Sequence, residues 1–260
     1  MAAAVLSKTA RYKQSICWQF FIDKVKAERL VSGAAAIGYA GFDYAPQESW
    51  PLILDHGLRV AAIRGHISAT EGLNHRENHD RLEDELGSNI ELAGRNDIPV
   101  VICFSGNRAG LSDEEGIENT AEGLRRVAKA AERNHVTLCM EMINSKINRP
   151  DYHADRTWWA VEACKRVGSP AVKVAYDFYH MQTQEGDMIA TIRQNIAHIG
   201  HIHTGGVPGR NELDGTQEIN YPAVMRAIAA TGYAGYVGHE FTPRGNPLRA
   251  LRQAFKVCDV

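Results

Sequence analysis

Four apolar, β-type runs in the second half of the 260-residue chain each end at a residue that can ligate a hard cation. Thr137–Met142 carries Glu141, Val172–Asp177 ends on Asp177, Ile199–His203 ends on His203 and Tyr236–Glu240 ends on Glu240. A polar loop follows each run. Three carboxylates and one imidazole form an oxygen-rich set with a net charge of −3. At close range such groups repel one another unless a divalent cation or protons neutralise them. Mg²⁺, Mn²⁺ or Co²⁺ suits these ligands, and the set lacks the thiolates of a structural zinc site.

Other residues near these ends could hold a substrate. His180 lies three residues beyond Asp177, in the loop expected above the strands, where it could hydrogen-bond a substrate oxygen. Arg210 follows His203 in the next loop, and its planar guanidinium suits a carboxylate. Arg64 and His66 follow the run Leu58–Arg64 and could line the same mouth, Arg64 as a second anion anchor. Asn107 and Arg108 are weaker candidates. His201 is expected to pack outward if His203 faces the metal. Trp158 and Trp159 read as core or interface packing, and Glu71 and Glu185 as ordinary surface charges.

Strand and helix patterns alternate along the chain to position these groups. The expected strands are Gln14–Phe20, Gly41–Tyr44, Leu58–Arg64, Val100–Phe104 and the four named above. The expected helices are Asp23–Ile37, Ser49–His56, Asn74–Arg95, Ser112–Asn134, Ala154–Val167, Asp187–Asn195, Tyr221–Thr231 and Pro247–Val257. Ser112 and Glu115 have the spacing of a capping box. Strict alternation implies parallel strands with crossover helices. Eight such units in a chain of this size predict a single α/β domain, a (β/α)₈ TIM barrel spanning 1–260. A doubly wound open sheet fits less well, because no G-x-G-x-x-G follows the first strand. In a barrel, catalytic groups sit at the C-terminal ends of strands, where the four ligands fall.

Composition narrows the classes of function. Lys+Arg is 29 and Asp+Glu is 31, so the net charge is 29 − 31 = −2, against nucleic acid or anionic membrane as a partner. No run of roughly 18 apolar residues offers a membrane span. The five cysteines have no zinc-knuckle spacing and read as buried, reduced thiols. The opening MAAAVLSKTARYKQ lacks the apolar core of a complete secretory signal. Residues 1–12 are expected to be a mobile segment and the location cytoplasmic, with a processed N-terminal signal left open. A homo-oligomer is also left open.

The stretches YDFYHMQTQEGD, IGHIHTGGVPGRNELDGTQEINYP and GYVGHEFTPRGNP resemble the hydroxypyruvate isomerase family. That family belongs to the xylose-isomerase-like barrels, with the ketose 3-epimerases and endonuclease IV. The likeness runs from KQSIC to FKVCDV and is most specific from Asp177 to Pro243. It implies that Glu141 and Glu240 are paired acid/base glutamates and that Asp177 and His203 complete a metal set. Position 203 is Gln or His among such proteins, and here it is His. The implied reaction interconverts hydroxypyruvate and tartronate semialdehyde through an enediolate, with the two glutamates facing each other across the substrate. A ketose 3-epimerase could use the same metal and glutamate pair, so a small hydroxy-keto acid and a sugar both remain open as substrates. An endonuclease-IV-like enzyme would want more strand-end histidines and a basic face. A non-catalytic sugar-acid binder would have little use for the glutamate pair.

Overall fold

The computed structural model describes residues 12–260. Eight parallel strands close on themselves in sequence order, which excludes the open sheet. They are β1 (Lys13–Cys17), β2 (Gly41–Asp43), β3 (Arg59–Arg64), β4 (Val100–Phe104), β5 (Thr137–Glu141), β6 (Val172–Asp177), β7 (Ile199–Thr204) and β8 (Tyr236–His239). Closure comes from β1 pairing with β8, Lys13 opposite Tyr236 through Ile16 opposite His239. The outer layer holds α1 (Ala27–Ile37), α2 (Trp50–Asp55), α3 (His79–Arg95), α4 (Asp113–Arg133), α5 (Thr157–Val167), α6 (Phe178–Gln184), α7 (Met188–Asn195), α8 (Tyr221–Ala230) and α9 (Pro247–Cys258).

The β4 and β6 bounds match the sequence reading. The first strand is shorter than expected: the chain leaves β1 at Cys17 and turns through 3-10 segments at Trp18–Phe20 and Ile22–Lys24. The sequence reading has eight helices and takes the residues of α6 as loop. Asp177 supplies the reason, because its Oδ1 accepts the N–H groups of Tyr179, at 2.7 Å, and His180, at 3.3 Å. An aspartate in that position caps a helix, and the buried Phe178 and Met181 fix its inner face. The capping box on α4 forms as expected, with Ser112 Oγ accepting from Glu115 N and Glu115 Oε2 from Ser112 N.

Most of the expected mobile segment lies outside the described residues. Tyr12, its last member, is instead buried, and its hydroxyl donates to the Cys258 carbonyl. All five cysteines are free and buried. Among the described residues no helix is long and apolar enough to cross a membrane.

Two buried histidines outside the ligand set are held neutral. His66 Nε2 accepts the Phe104 N–H at 2.9 Å, and burial pushes its pKa down to about 4. His239 lies between Thr204 Oγ1 at 2.8 Å and Gln14 Oε1 at 2.9 Å, and burial pushes it down to about 3. An unfolded histidine takes its proton near pH 6.5. Below that pH the unfolded chain binds protons that the folded chain refuses, so stability is complete above about 6.5 and falls as the pH drops. Each of the two should cost about 2 kcal/mol between pH 7.5 and 5. Urea unfolding should therefore show a lower midpoint at pH 5, with a smaller difference in His66→Gln. An equal midpoint at both values would contradict this account.

Candidate active site

The four strand-end residues converge. Glu141 and Asp177 are the last residues of β5 and β6, His203 is next to last in β7, and Glu240 follows β8 directly. Asp177 and His203 are register partners, which brings them to the same height in the barrel. All four are buried. His203 Nδ1 lies 2.9 Å from Glu240 Oε2 and 3.3 Å from Glu141 Oε1. Glu141 and Glu240 therefore meet at one imidazole nitrogen, which β7 carries between them, and both line the cavity above. The Tyr44 hydroxyl donates to Glu141 Oε2 at 3.2 Å.

Arg210 reaches into the same cluster. One Nη2 donates to Asp177 Oδ2 at 2.6 Å and to Glu240 Oε1 at 2.9 Å. Its Nε donates to the Glu240 carbonyl at 3.1 Å, and the rings of Phe20 and Tyr179 lie 5.3 and 5.2 Å from the guanidinium carbon. Arg210 and Tyr44 both have left-handed backbones, with φ of 55° and 59°. Non-glycine residues adopt that region at a cost and often at functional sites.

The electrostatics follow from burial and these pairings. Burial pushes the Asp177 carboxyl up to about 6, with Arg210 pulling back and Glu240 adding repulsion. Burial pushes Glu240 the same way, but Arg210 and His203 outweigh it and hold that carboxyl down at about 2. Burial opposes charge on His203, yet the anions around it, Glu240 among them, push its pKa well above the ordinary value. Burial and then Arg210 press His180 well below its ordinary value, so its ring is neutral.

The donor set fits a divalent cation. Glu141, Asp177, His203 and Glu240 each offer one ligand atom, all within 4.8 Å of one another. Carboxylate oxygens with one imidazole suit a hard or borderline ion. Above them is a cavity of about 380 Å³, with Glu141, Glu240, His180 and Arg210 in its wall and Arg64 and Arg149 at its exposed rim.

The remaining sequence candidates divide. His180 belongs to α6 and not to a loop; its Nδ1 accepts from Asn144 Nδ2 at 2.7 Å. The Asn144 amide is oriented by Ile147 and Asn148 N–H groups, both 3.0 Å from its Oδ1. Arg64 reaches the cavity, donates to Gln19 at 3.2 Å and lies over the Tyr44 ring. Arg210 is engaged by the carboxylates and does not stand free at the mouth. His66 does not line the cavity, because its ring is held inside by the Phe104 backbone. Arg108 is drawn away by Asp113 and by Asp155 at 3.3 Å. His201 faces the barrel interior beside His203 and does not pack outward, since strand residues two apart share a face. Trp159 is core, while Trp158 is exposed. Glu185 holds the start of α5 through Thr157 N at 2.6 Å. Sequence reasoning passed over Asp43, Tyr44, Asn144 and Arg149. The strand-end rule that selected Asp177 also selects Asp43.

A family model for the xylose isomerase-like TIM barrel matches residues 32–259. The chain is 40% identical to the 2-oxo-tetronate isomerase of Cupriavidus necator over 130 residues, 50% of this chain and 49% of that one. That match spans about half the length of the relative. Against the hydroxypyruvate isomerase of Escherichia coli it is 35% identical over 174 residues, 66% of this chain and 67% of that one. A crystal structure titled AP endonuclease, family 2, from Brucella melitensis superposes with a TM-score of 0.80 at 24% identity, covering 92% of this chain and 97% of that one, a likeness of fold.

Removing the Arg210 guanidinium leaves two buried carboxylates, Asp177 and Glu240, without their shared counter-charge. Breaking a buried pair in this way costs about 3–5 kcal/mol. In the presence of a chelator, urea unfolding at neutral pH should show Arg210→Ala destabilised by that order, and excess Mg²⁺ should narrow the gap to wild type. Equal stability of the two chelated proteins would contradict the assignment.

Proposed function

The chain belongs to the xylose isomerase-like TIM barrel family, and on that footing we propose that it is a divalent-metal-dependent isomerase of small hydroxy-keto acids. Similarity to a 2-oxo-tetronate isomerase and a hydroxypyruvate isomerase supports the substrate class, with hydroxypyruvate and tartronate semialdehyde as the pair to test first. One observation carries the reading: a carboxylate-and-imidazole cluster lies beneath a cavity whose rim presents two arginines. The cluster suits the reacting carbons, and the arginines suit an acid. The five buried free thiols support a reducing, cytoplasmic setting.

Glu141, Asp177, His203 and Glu240 would hold the cation, with Mg²⁺ or Mn²⁺ first and Co²⁺ next. When bound, it supplies Lewis-acid stabilisation of negative charge at adjacent substrate oxygens. The reaction breaks a C–H bond at one carbon and forms one at its neighbour, while the hydroxyl proton passes to the former carbonyl oxygen. Glu240, kept ionised by Arg210 and His203, suits removal of the carbon-bound proton. Glu141, steadied by the Tyr44 hydroxyl, returns a proton to the neighbouring carbon. His180 is neutral and lines the cavity, with Asn144 Nδ2 2.7 Å from its Nδ1 and Arg210 Nη1 3.1 Å from its Nε2, and its ring suits a hydrogen bond to a substrate oxygen. Arg64 and Arg149 receive the substrate carboxylate through charge-assisted bonds.

A panel of hydroxy-keto acids and free ketoses, followed by NMR in D₂O with Mg²⁺ or Mn²⁺, tests the reading. Hydroxypyruvate should take up deuterium and isomerise, and chelation should abolish both. Exchange with ketoses alone would replace the acid reading with a sugar epimerase, and full turnover in metal-free protein would exclude the metal. Glu141→Gln and Glu240→Gln should each lose about 10²-fold or more in turnover. Near wild-type rates in both would move the proton carrier elsewhere. Arg64→Ala and Arg149→Ala should each weaken transition-state and substrate binding by about 1.5–3 kcal/mol, seen mainly in KM. If neither changes the constants for hydroxypyruvate, these arginines do not hold its carboxylate.

A further inference from the structure

Behind His203, on the side away from the cavity, the barrel interior contains another buried carboxylate. Asp43 ends β2 with none of its surface exposed, and it does not line the cavity. Its Oδ2 accepts from Ser15 Oγ at 3.1 Å and lies 3.0 Å from His201 Nε2. The same oxygen is 3.4 Å from His203 Nε2 and 3.7 Å from Cys17 Sγ. The His201 and His203 rings meet edge to face with centroids 4.8 Å apart.

We infer that Asp43 is a positioning residue that holds the Nε2–H of His203 and thereby turns the Nδ1 lone pair toward Glu141, Asp177 and Glu240. The inference rests on the reading that these four residues hold a cation, and it identifies what makes His203 a ligand. An imidazole ligand needs one bare nitrogen fixed in direction. A carboxylate on the opposite N–H fixes the ring, selects the tautomer and increases the basicity of the ligating nitrogen. An unpaired carboxylate in this interior would carry a large desolvation cost, and the donors from β1 and β7 offset it.

The neighbouring strand is shaped around the same contact. Gly238 on β8 is the register partner of His203. A Cβ there would lie 2.0 Å from Asp43 Oδ2 and 2.9 Å from His203 Cδ2. Glycine inside a strand sacrifices packing and often marks a close approach, and here the approaching group is the Asp43 carboxylate. Cys17, Asp43 and His203 also bring ligand atoms within 4.8 Å of one another. Asp43 Oδ2 is engaged by Ser15 and His201 and is the carboxylate oxygen that faces the otherwise unpartnered His203 Nε2, at 3.4 Å; on this inference the carboxylate orients His203 and one ion binds per chain.

The test combines Mn²⁺ titration, followed by calorimetry and electron paramagnetic resonance, with ¹⁵N NMR of the histidines in the Mg²⁺-loaded protein. Wild type should bind one Mn²⁺ and show His203 protonated on Nε2. Asp43→Asn and Gly238→Ala should bind Mn²⁺ about 10–100-fold more weakly, and Asp43→Asn should lose the single His203 tautomer. If wild type binds no divalent cation, the metal reading itself fails. If wild type binds Mn²⁺ and both variants bind it as tightly, only the role of Asp43 fails. Two ions per chain would replace orientation by a second metal site. Should Asp43→Asn not fold, the wild-type spectrum still decides: a Mg²⁺-loaded His203 with its proton on Nδ1 overturns the inference.

Discussion

Burying three carboxylates together is possible only with positive charge among them. At the mouth of this barrel that charge comes from Arg210, bridging Asp177 and Glu240, and from His203, reached by Glu141 and Glu240. The arrangement explains why residues from four strand ends and one long loop meet at one level. It also explains the opposite behaviour of two neighbouring acids. Asp177 is dominated by burial, while Glu240 is dominated by its two cationic neighbours. Burial and charge thus push two neighbouring carboxyls in opposite directions.

The fold serves this balance through particular local choices. Asp177 divides its two oxygens, Oδ1 to the N–H groups that open α6 and Oδ2 to Arg210. One residue therefore starts a helix and belongs to the charged cluster. His180 is carried in the first turn of that helix, and Asn144 from the loop after β5 fixes one of its nitrogens. Arg210 is clamped between two aromatic rings and the Glu240 backbone, so its guanidinium is held by packing as well as by charge.

The barrel and the four strand-end residues that meet at its mouth are legible because they depend on features that short segments carry: apolar β runs, alternation with helices and a polar residue at each strand end. Asp43 is not, because the sequence reading carries the second strand one residue too far, to Tyr44, and so places a different residue at its end. Arg149 lies in an irregular loop after β5, where no periodicity says which way a side chain points. The α6 helix is hidden because Asp177, which caps it, also ends β6, and a single residue carries both signals. His201 was misread by parity: residues two apart on a strand share a face, and both rings point into the barrel. Arg210 was recognised as an anion binder, but the anions it binds belong to the chain itself. Sequence position alone does not rank internal carboxylates above a substrate's.

The contact between Tyr12 and Cys258 has a geometric meaning beyond burial. Strands of a barrel run toward the catalytic mouth and the helices run back, so the residue before β1 and the residue that ends α9 both lie at the opposite rim. The described chain is thus nearly circular, with its seam on the side remote from the carboxylates. A chain joined directly at either residue leaves from that seam, a barrel's height from the cavity above the carboxylates.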